Sequence, residues 1–208
     1  IRQTAPAPPP ARSCRTRLAN EGVTRLGLSA GTAQPGFFNR YSQRRHMTDV
    51  HIFTTGGTID KVYFDALSEF QVGESPLDAI LREANVGIDY DLTSLMRKDS
   101  LELTDTDRDV IKNAVAACSC DRILITHGTD TMAQTGQYLM PSVGKTIVLT
   151  GSMQPALLRS TDAIFNVGFA IAAARLQPPG VYLAMNGQVF AADQVRKDRD
   201  AGRFVRAD

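Results

Sequence analysis

Three short segments set hydroxyls beside glycine: Thr54-Thr55-Gly56-Gly57-Thr58, Thr126-His127-Gly128-Thr129-Asp130-Thr131 and Thr150-Gly151-Ser152-Met153-Gln154-Pro155. Glycine lets a backbone approach another group closely and take up conformations closed to other residues. Hydroxyls beside exposed amides can bind or attack a polar substrate. The chemistry this suggests is hydroxyl attack without histidine, by Thr58 or Thr129 with Asp130 and a base from farther along the chain. A threonine hydroxyl is a weak nucleophile until a neighbour takes or polarises its proton. Tyr63, Asp130 and the lysines are the candidates for that neighbour. Taken singly, each threonine is better read as a helix cap. Capping does not require paired glycines in the same loops, so the set together reads as a site.

Other chemistries fit less well. Gly144-Lys145-Thr146 ends like a phosphate-binding loop, but the glycine required five residues earlier is Leu139, and a strand pattern follows where a helix is needed. The run TTGGTIDKVYFD lacks the glycine spacing of a dinucleotide fingerprint. His46, His51 and His127 stand apart from one another, and no GxSxG elbow is present. His127 reads as a packed or hydrogen-bonded scaffold residue. Neither a cofactor nor a metal is expected.

The elements that must carry these loops alternate strand and helix from Met47 onward. VHIFTT (50–55) reads as a strand and residues 60–75 as a loop. SPLDAILREA reads as a helix with Ser75 as its cap and Pro76 in its first turn. DLTSLMRKDS holds a strand ending near Asp99 and Ser100. Thr104 caps a helix with Val110, Ile111, Ala114, Val115 and Cys118 at helical spacing. RILITHGTDT is a strand broken at Gly128, followed by the helix DTMAQTGQYLM. KTIVLTGS (145–152) is a buried strand, STDAIFNVGFAIAAARL a long apolar helix and GVYLAMNG (180–187) a further strand. Apolar runs joined by helices predict an α/β fold, a parallel sheet with helices on both faces. Ligands of such sheets sit outside the carboxyl ends of the strands. All three glycine segments fall at those ends.

Composition narrows the setting. The 208 residues are 43% hydrophobic and 22% charged, as in a globular protein. No apolar run reaches the roughly 20 residues that span a bilayer. Residues 1–46 hold eight arginines, no lysine and one acid, Glu21, while the body carries 15 basic and 21 acidic groups. An acidic body argues against nucleic acid as the partner. The front piece, with its APAPPPARS stretch, is expected to be a disordered Arg/Pro-rich leader or an expression remnant, with an organelle transit peptide as the other reading. Cys14, Cys118 and Cys120 lack zinc-site spacing and suit a reduced, cytoplasmic setting.

The motifs, in order, resemble those of the L-asparaginase/glutaminase family of amidohydrolases. TTGGTI (54–59) and ITHGTDTM (125–132) look like its two signature segments. KDSLELT (98–104), LTGSMQP (149–155), DAIFN (162–166) and VYLAMNGQVFAADQVRK (181–197) resemble further family segments, so the likeness runs over about 50–200. It implies a Rossmann/flavodoxin-like domain over 47–208, corresponding to the family's N-terminal domain. The usual C-terminal domain is absent, as in short single-domain asparaginases or in a fragment.

The resemblance also implies roles. Thr58 matches the first nucleophilic threonine and Tyr63 its activating tyrosine on a mobile loop. Thr129, Asp130 and Lys197 match the second threonine and its relay. Gly57, Asp99, Ser100, Gly128, Thr129 and Asp130 line the substrate site, with Ser100 on the α-carboxylate. Departures are Asp193-Gln194 for an arginine-containing pair and Leu101 for a polar residue. The implied activity is hydrolysis of L-asparagine through a threonine acyl-enzyme. The alternatives are a broader glutaminase-asparaginase, an ammonia-supplying amidotransferase subunit and a non-catalytic amino-acid-binding relic. The expected partners are a small-molecule substrate and further copies of the chain in a homo-oligomer, with no nucleic acid or membrane.

Overall fold

A computed structural model describes residues 48–207 except 65–68 and 142–143; the expectations for residues 1–46 lie outside the described residues. The strands are β1 (Val50–Gly56), β2 (Lys61–Phe64), β3 (Glu69–Val72), β4 (Tyr90–Lys98) and β5 (Arg122–Thr126). They continue with β6 (Thr146–Thr150), β7 (Gly180–Met185), β8 (Gln188–Ala191), β9 (Val195–Asp198) and β10 (Arg203–Arg206). The helices are α1 (Leu77–Glu83), α2 (Asp105–Ala117), α3 (Met132–Leu139) and α4 (Ala163–Leu176).

Six strands form one sheet in the order β4-β1-β5-β6-β7-β8, all parallel except the edge strand β8. The five parallel strands take the flavodoxin-like order, which reverses between β1 and β5. That switch point is where such sheets open a crevice for ligands.

Side-chain alternation along the strands builds two core layers. Ile123 and Ile125 of β5 face α2 and α3, meeting Ile111, Val115, Met132 and Leu139. Val195 and Phe204 of the β9–β10 hairpin join that layer. Leu124 points the other way, with Ile52 and Val148, onto Leu77 and Leu81 of α1 and Val167 and Ile171 of α4. Each such buried side chain contributes about 1.5–3 kcal/mol. The expected α/β architecture, with helices on both faces, is present.

Several details differ, among them the β9–β10 hairpin, for which no strands were expected. Residues 60–75, read as a loop, follow a tight turn at Thr58–Asp60 and contain the β2–β3 hairpin. Glu69, Phe70 and Gln71 of that hairpin are exposed, so no core-facing periodicity announces it. Helix α1 begins with Pro76 in the cap position and no side-chain cap, and the Ser75 hydroxyl faces the buried Asp60 carboxyl instead. Val110, expected on the buried stripe of α2, is exposed, whereas Thr104 caps that helix as expected, reciprocally with Asp107. Strand β7 stops at Met185, where Asn186 and Gly187 take positive φ values of 52° and 76° and turn the chain into β8. An Asn-Gly pair between apolar runs is the usual signature of such a turn.

Candidate active site

The carboxyl ends of β1, β4, β5 and β6 meet with almost no side chain between them. A Cβ on Gly57 would lie 2.4 Å from the Gly128 backbone, and one on Gly128 would lie 2.5 Å from Ser100 Oγ. One on Gly151 would lie 2.3 Å from the His127 carbonyl oxygen. Gly57 has φ 88°, a left-handed value that side chains rarely adopt. The glycines of the three loops are therefore required by contact. Thr55, fully buried, donates its hydroxyl proton to the Thr126 carbonyl at 2.8 Å and ties β1 to β5. It belongs to the scaffold, as does the buried Thr54.

Thr58 and Thr129 stand on either side of this contact. Thr58 opens the tight turn after β1 and is partly exposed. Thr129, 4% exposed, follows β5. Lys197 comes from β9, where Val195 anchors the strand in the core, and its ammonium donates to Thr129 Oγ1 at 2.7 Å and to Asp130 Oδ1 at 2.8 Å. The Lys197 and Asp130 side chains are 16% and 33% exposed, so the pair is partly shielded from water. Three of the residues expected to act together are therefore within hydrogen-bond distance.

Ser100 is buried in a single turn directly after β4. Its carbonyl accepts from Thr131 Oγ1 at 2.8 Å, which joins this turn to the loop of Thr129. Asp99 accepts from the Leu101 amide at 3.1 Å and pairs with Lys61 at 2.8 Å. Burial opposes ionisation of Asp99, but Lys61, the Leu101 amide and the more distant Lys197 outweigh it and hold the carboxyl below its ordinary range. The Gly57 amide donates to the Lys98 carbonyl at 2.9 Å, so it is not free to bind an oxyanion. Tyr63 lies on β2 with 56% of its surface exposed and its ring edge-on to Phe70.

Side chains to which no role was assigned also shape the site. The Asp162 carboxylate accepts from the Met153 and Gln154 amides at 3.0–3.1 Å and from Asn166 Nδ2 at 2.9 Å. Asn166 also donates to the Gly151 carbonyl and accepts from the Asn186 amide, both at 3.0 Å. The DAIFN segment thus pins the ends of β6 and β7. Lys61 and Arg97 went unremarked in the sequence because nothing local distinguishes them from solvated lysines and arginines. Here they pair with Asp99 and Glu74 at either foot of the β2–β3 hairpin. A cleft of about 440 Å³ opens between that hairpin and the end of β4, lined by Lys61, Phe70, Val72, Arg97, Asp99 and Leu101 among others. It meets the candidate site only at Asp99. The chemistry lies at the strand ends beside it.

Residues 49–203 match the family model "Asparaginase, N-terminal". This chain belongs to the asparaginase family. It is 31% identical over 167 residues to the glutaminase-asparaginase of Acinetobacter glutaminasificans, covering 72% of this chain and 49% of the relative. It is 32% identical over 161 residues to the L-asparaginase of Thermococcus kodakarensis, covering 73% and 48%. Among solved structures, a probable cytoplasmic L-asparaginase from Campylobacter jejuni superposes with a TM-score of 0.64 at 27% identity, over 72% of this chain and 50% of that one. The chain spans about half the length of the curated relatives it matches. The asparaginase match covers every described residue of the strand ends, including Thr58, Ser100, Thr129 and Lys197. No helix among the described residues is long and apolar enough to cross a membrane.

Proposed function

We propose that this domain hydrolyses L-asparagine to L-aspartate and ammonia through a threonine acyl-enzyme. The observation that carries the proposal is the Lys197 ammonium bonded to both Thr129 Oγ1 and Asp130 Oδ1, across a glycine contact from Thr58. Amide hydrolysis needs a nucleophile, a proton route to the leaving nitrogen and donors for the developing oxyanion. Thr58 Oγ1 attacks the side-chain amide carbon, and the C–N bond breaks with release of ammonia. Thr129 accepts from Lys197, so its own proton is free to point into the site and protonate the leaving nitrogen. Lys197 replenishes that proton and is itself recharged by the proton Thr58 releases on attack; water then cleaves the Thr58 ester to the carboxylic acid and restores the Thr58 hydroxyl. With the Gly57 amide engaged, the Thr129 amide is the donor left for the oxyanion.

Ser100 holds the substrate's α-carboxylate and Asp130 its α-amino group, with Asp99, Gly57 and Gly128 lining the site. Tyr63 enters when the β2–β3 hairpin closes over bound substrate and brings its phenol toward Thr58. A reducing, cytoplasmic setting belongs to the same proposal and is supported by the free thiols of Cys118 and Cys120. Assembly into a homo-oligomer is supported by the exposed apolar face of α4, where Ile164 and Phe165 stand 56% and 61% exposed.

Ammonia release from L-asparagine by the purified protein tests the reading. Thr58→Ala is expected to lower kcat by about a thousandfold or more with the fold retained. Undiminished activity in that variant would remove Thr58 as the nucleophile. A glutaminase-asparaginase of broader specificity is the second reading, favoured by the relative that carries both activities in its name. Comparing kcat/KM for glutamine and asparagine separates the two. Calorimetric binding of aspartate without any turnover would instead favour an amino-acid-binding relic.

A further inference from the structure

Arg108 lies inside the protein, 3% exposed, on the face of α2 that meets α3. Its Nη1 donates to Asp105 Oδ1 at 2.9 Å, and its Nε lies 3.2 Å from Thr135 Oγ1. Thr135 and His127 are both fully buried, with Thr135 Oγ1 2.9 Å from His127 Nε2. On its other side, His127 Nδ1 lies 2.7 Å from the Gly128 carbonyl oxygen.

The direction of every hydrogen bond in this chain is determined. A guanidinium only donates, so Thr135 Oγ1 accepts from Arg108 Nε. A carbonyl only accepts, so His127 Nδ1 carries the ring proton and gives it to Gly128. In the neutral ring Nε2 is then the acceptor, so Thr135 sends its hydroxyl proton to His127 while accepting from Arg108, and the whole relay is consistent with the Nδ1–H tautomer. The Gly128 carbonyl belongs to the peptide whose other half is the Thr129 amide, and in a planar trans peptide the two point in opposite directions. Holding the carbonyl toward His127 therefore turns the Thr129 N–H the other way.

We propose that Arg108 is a positioning residue: through Thr135 and the Nδ1–H tautomer of His127 it fixes the Gly128–Thr129 peptide plane, and with it the amide and hydroxyl that Thr129 offers to substrate. The role rests on the amidohydrolase reading above. Arg108 itself touches neither Lys197 nor any residue assigned to the substrate. Burial and the nearby Arg108 charge hold the His127 ring neutral, with a pKa lowered to about 4 although the Gly128 bond opposes the drop. The tautomer is thus the same throughout the neutral range.

Two readouts test this. Nitrogen-15 NMR of the histidine rings in the full chain, without substrate, is expected to show His127 as a single Nδ1–H tautomer from pH 6 to 8. In Arg108→Met, Thr135 loses the donor that orients its hydroxyl, and a second, Nε2–H population is expected. The same variant is expected to lower kcat for asparagine about tenfold to a hundredfold with KM changed much less, since misplacement of a transition-state donor acts on the chemical step. Thr135→Val is expected to behave likewise and Thr135→Ser to restore both readouts, which a packing role alone would not do. This pair serves also where Arg108→Met fails to fold.

An Nε2–H tautomer in the wild-type protein overturns the proposal, as does a folded Arg108→Met protein with unchanged kcat. A wild-type protein that releases no ammonia overturns the functional reading alone, and the tautomer and its response to Arg108 then decide whether the peptide is held as described.

Discussion

Asp60 and His127 are both buried ionisable side chains, and they bend the pH dependence of folding in opposite senses. Burial pushes Asp60 from 3.8 up to about 6, with Ser75, the Gly56 amide and Arg97 moderating the rise. The Ser75 contact is loose, for neither Asp60 Oδ1 nor Ser75 Oγ makes a well-formed hydrogen bond. The folded state holds a proton on Asp60 that the unfolded chain has released, so this contribution is full below about pH 4 and lost as the pH rises through about 6. His127 goes from 6.5 down to about 4, so its contribution is full above the first value and lost as the pH falls through the second. Asp60→Asn removes only the first slope. Denaturant unfolding from pH 4 to 8 is expected to show the variant gaining on the wild-type protein as the pH rises, ending about 2 kcal/mol more stable. Parallel curves would mean that Asp60 ionises freely in the folded state. Legibility at this scale depended on neighbours in the chain. Thr58, Thr129 and Asp130 are visible because each sits in a glycine loop. Lys197 is not, since its partners lie 67 and 68 residues away and only the family resemblance nominates it. Arg108 hides in plain view: its spacing to Ile111 and Val115 places it on the buried face of α2, yet an arginine is normally counted outward.

Most strands and helices were legible where one face meets the core, but the β9–β10 hairpin, which places only Val195 and Phe204 there, was not, and the β2–β3 hairpin was missed because neither of its faces does. What holds it is electrostatic. Lys61 pairs with Asp99 and Arg97 with Glu74, both pairs at 2.8–2.9 Å and both partly open to water. Such pairs contribute about 1 kcal/mol or less. Lys61→Met is therefore expected to leave global stability within about 1 kcal/mol of wild type while speeding amide hydrogen exchange in β2 and β3. Exchange in β5 and β6 is expected to stay unchanged. Equal acceleration across the sheet, or none in the hairpin, would show that the ion pair does not set the hairpin's opening. The β7–β8 turn was missed for a different reason. Asn186-Gly187 announces it, but the apolar run before it reads equally well as one longer strand, so the antiparallel edge of the sheet went unrecognised.

On the scale of the whole molecule, α4 leaves an apolar face uncovered. Its fourteen residues include one charge, Arg175. Val167, Ala170, Ile171 and Ala174 meet the sheet while Ile164, Phe165 and Leu176 stand exposed, and the Phe165 and Phe169 rings lie stacked 6.2 Å apart. A helix apolar all round is normally covered on both sides. Sedimentation at micromolar concentration is expected to find more than one copy per particle, and Phe165→Lys to return the particle toward a single chain. A monomeric wild-type protein would remove α4 as a self-association face. The parallel order of the sheet, by contrast, was legible from the alternation of strand and helix, because each crossover needs its own apolar helix. The glycine contact at the sheet's carboxyl edge has a consequence for how such a protein can change. Thr58 and Thr129 follow glycines whose main chains are pressed together, so a side chain added at either glycine would drive the two loops apart rather than adjust them. Variation is left to the rim, to Leu101 and the hairpin, where selection or design can remodel what is admitted without disturbing what is done to it.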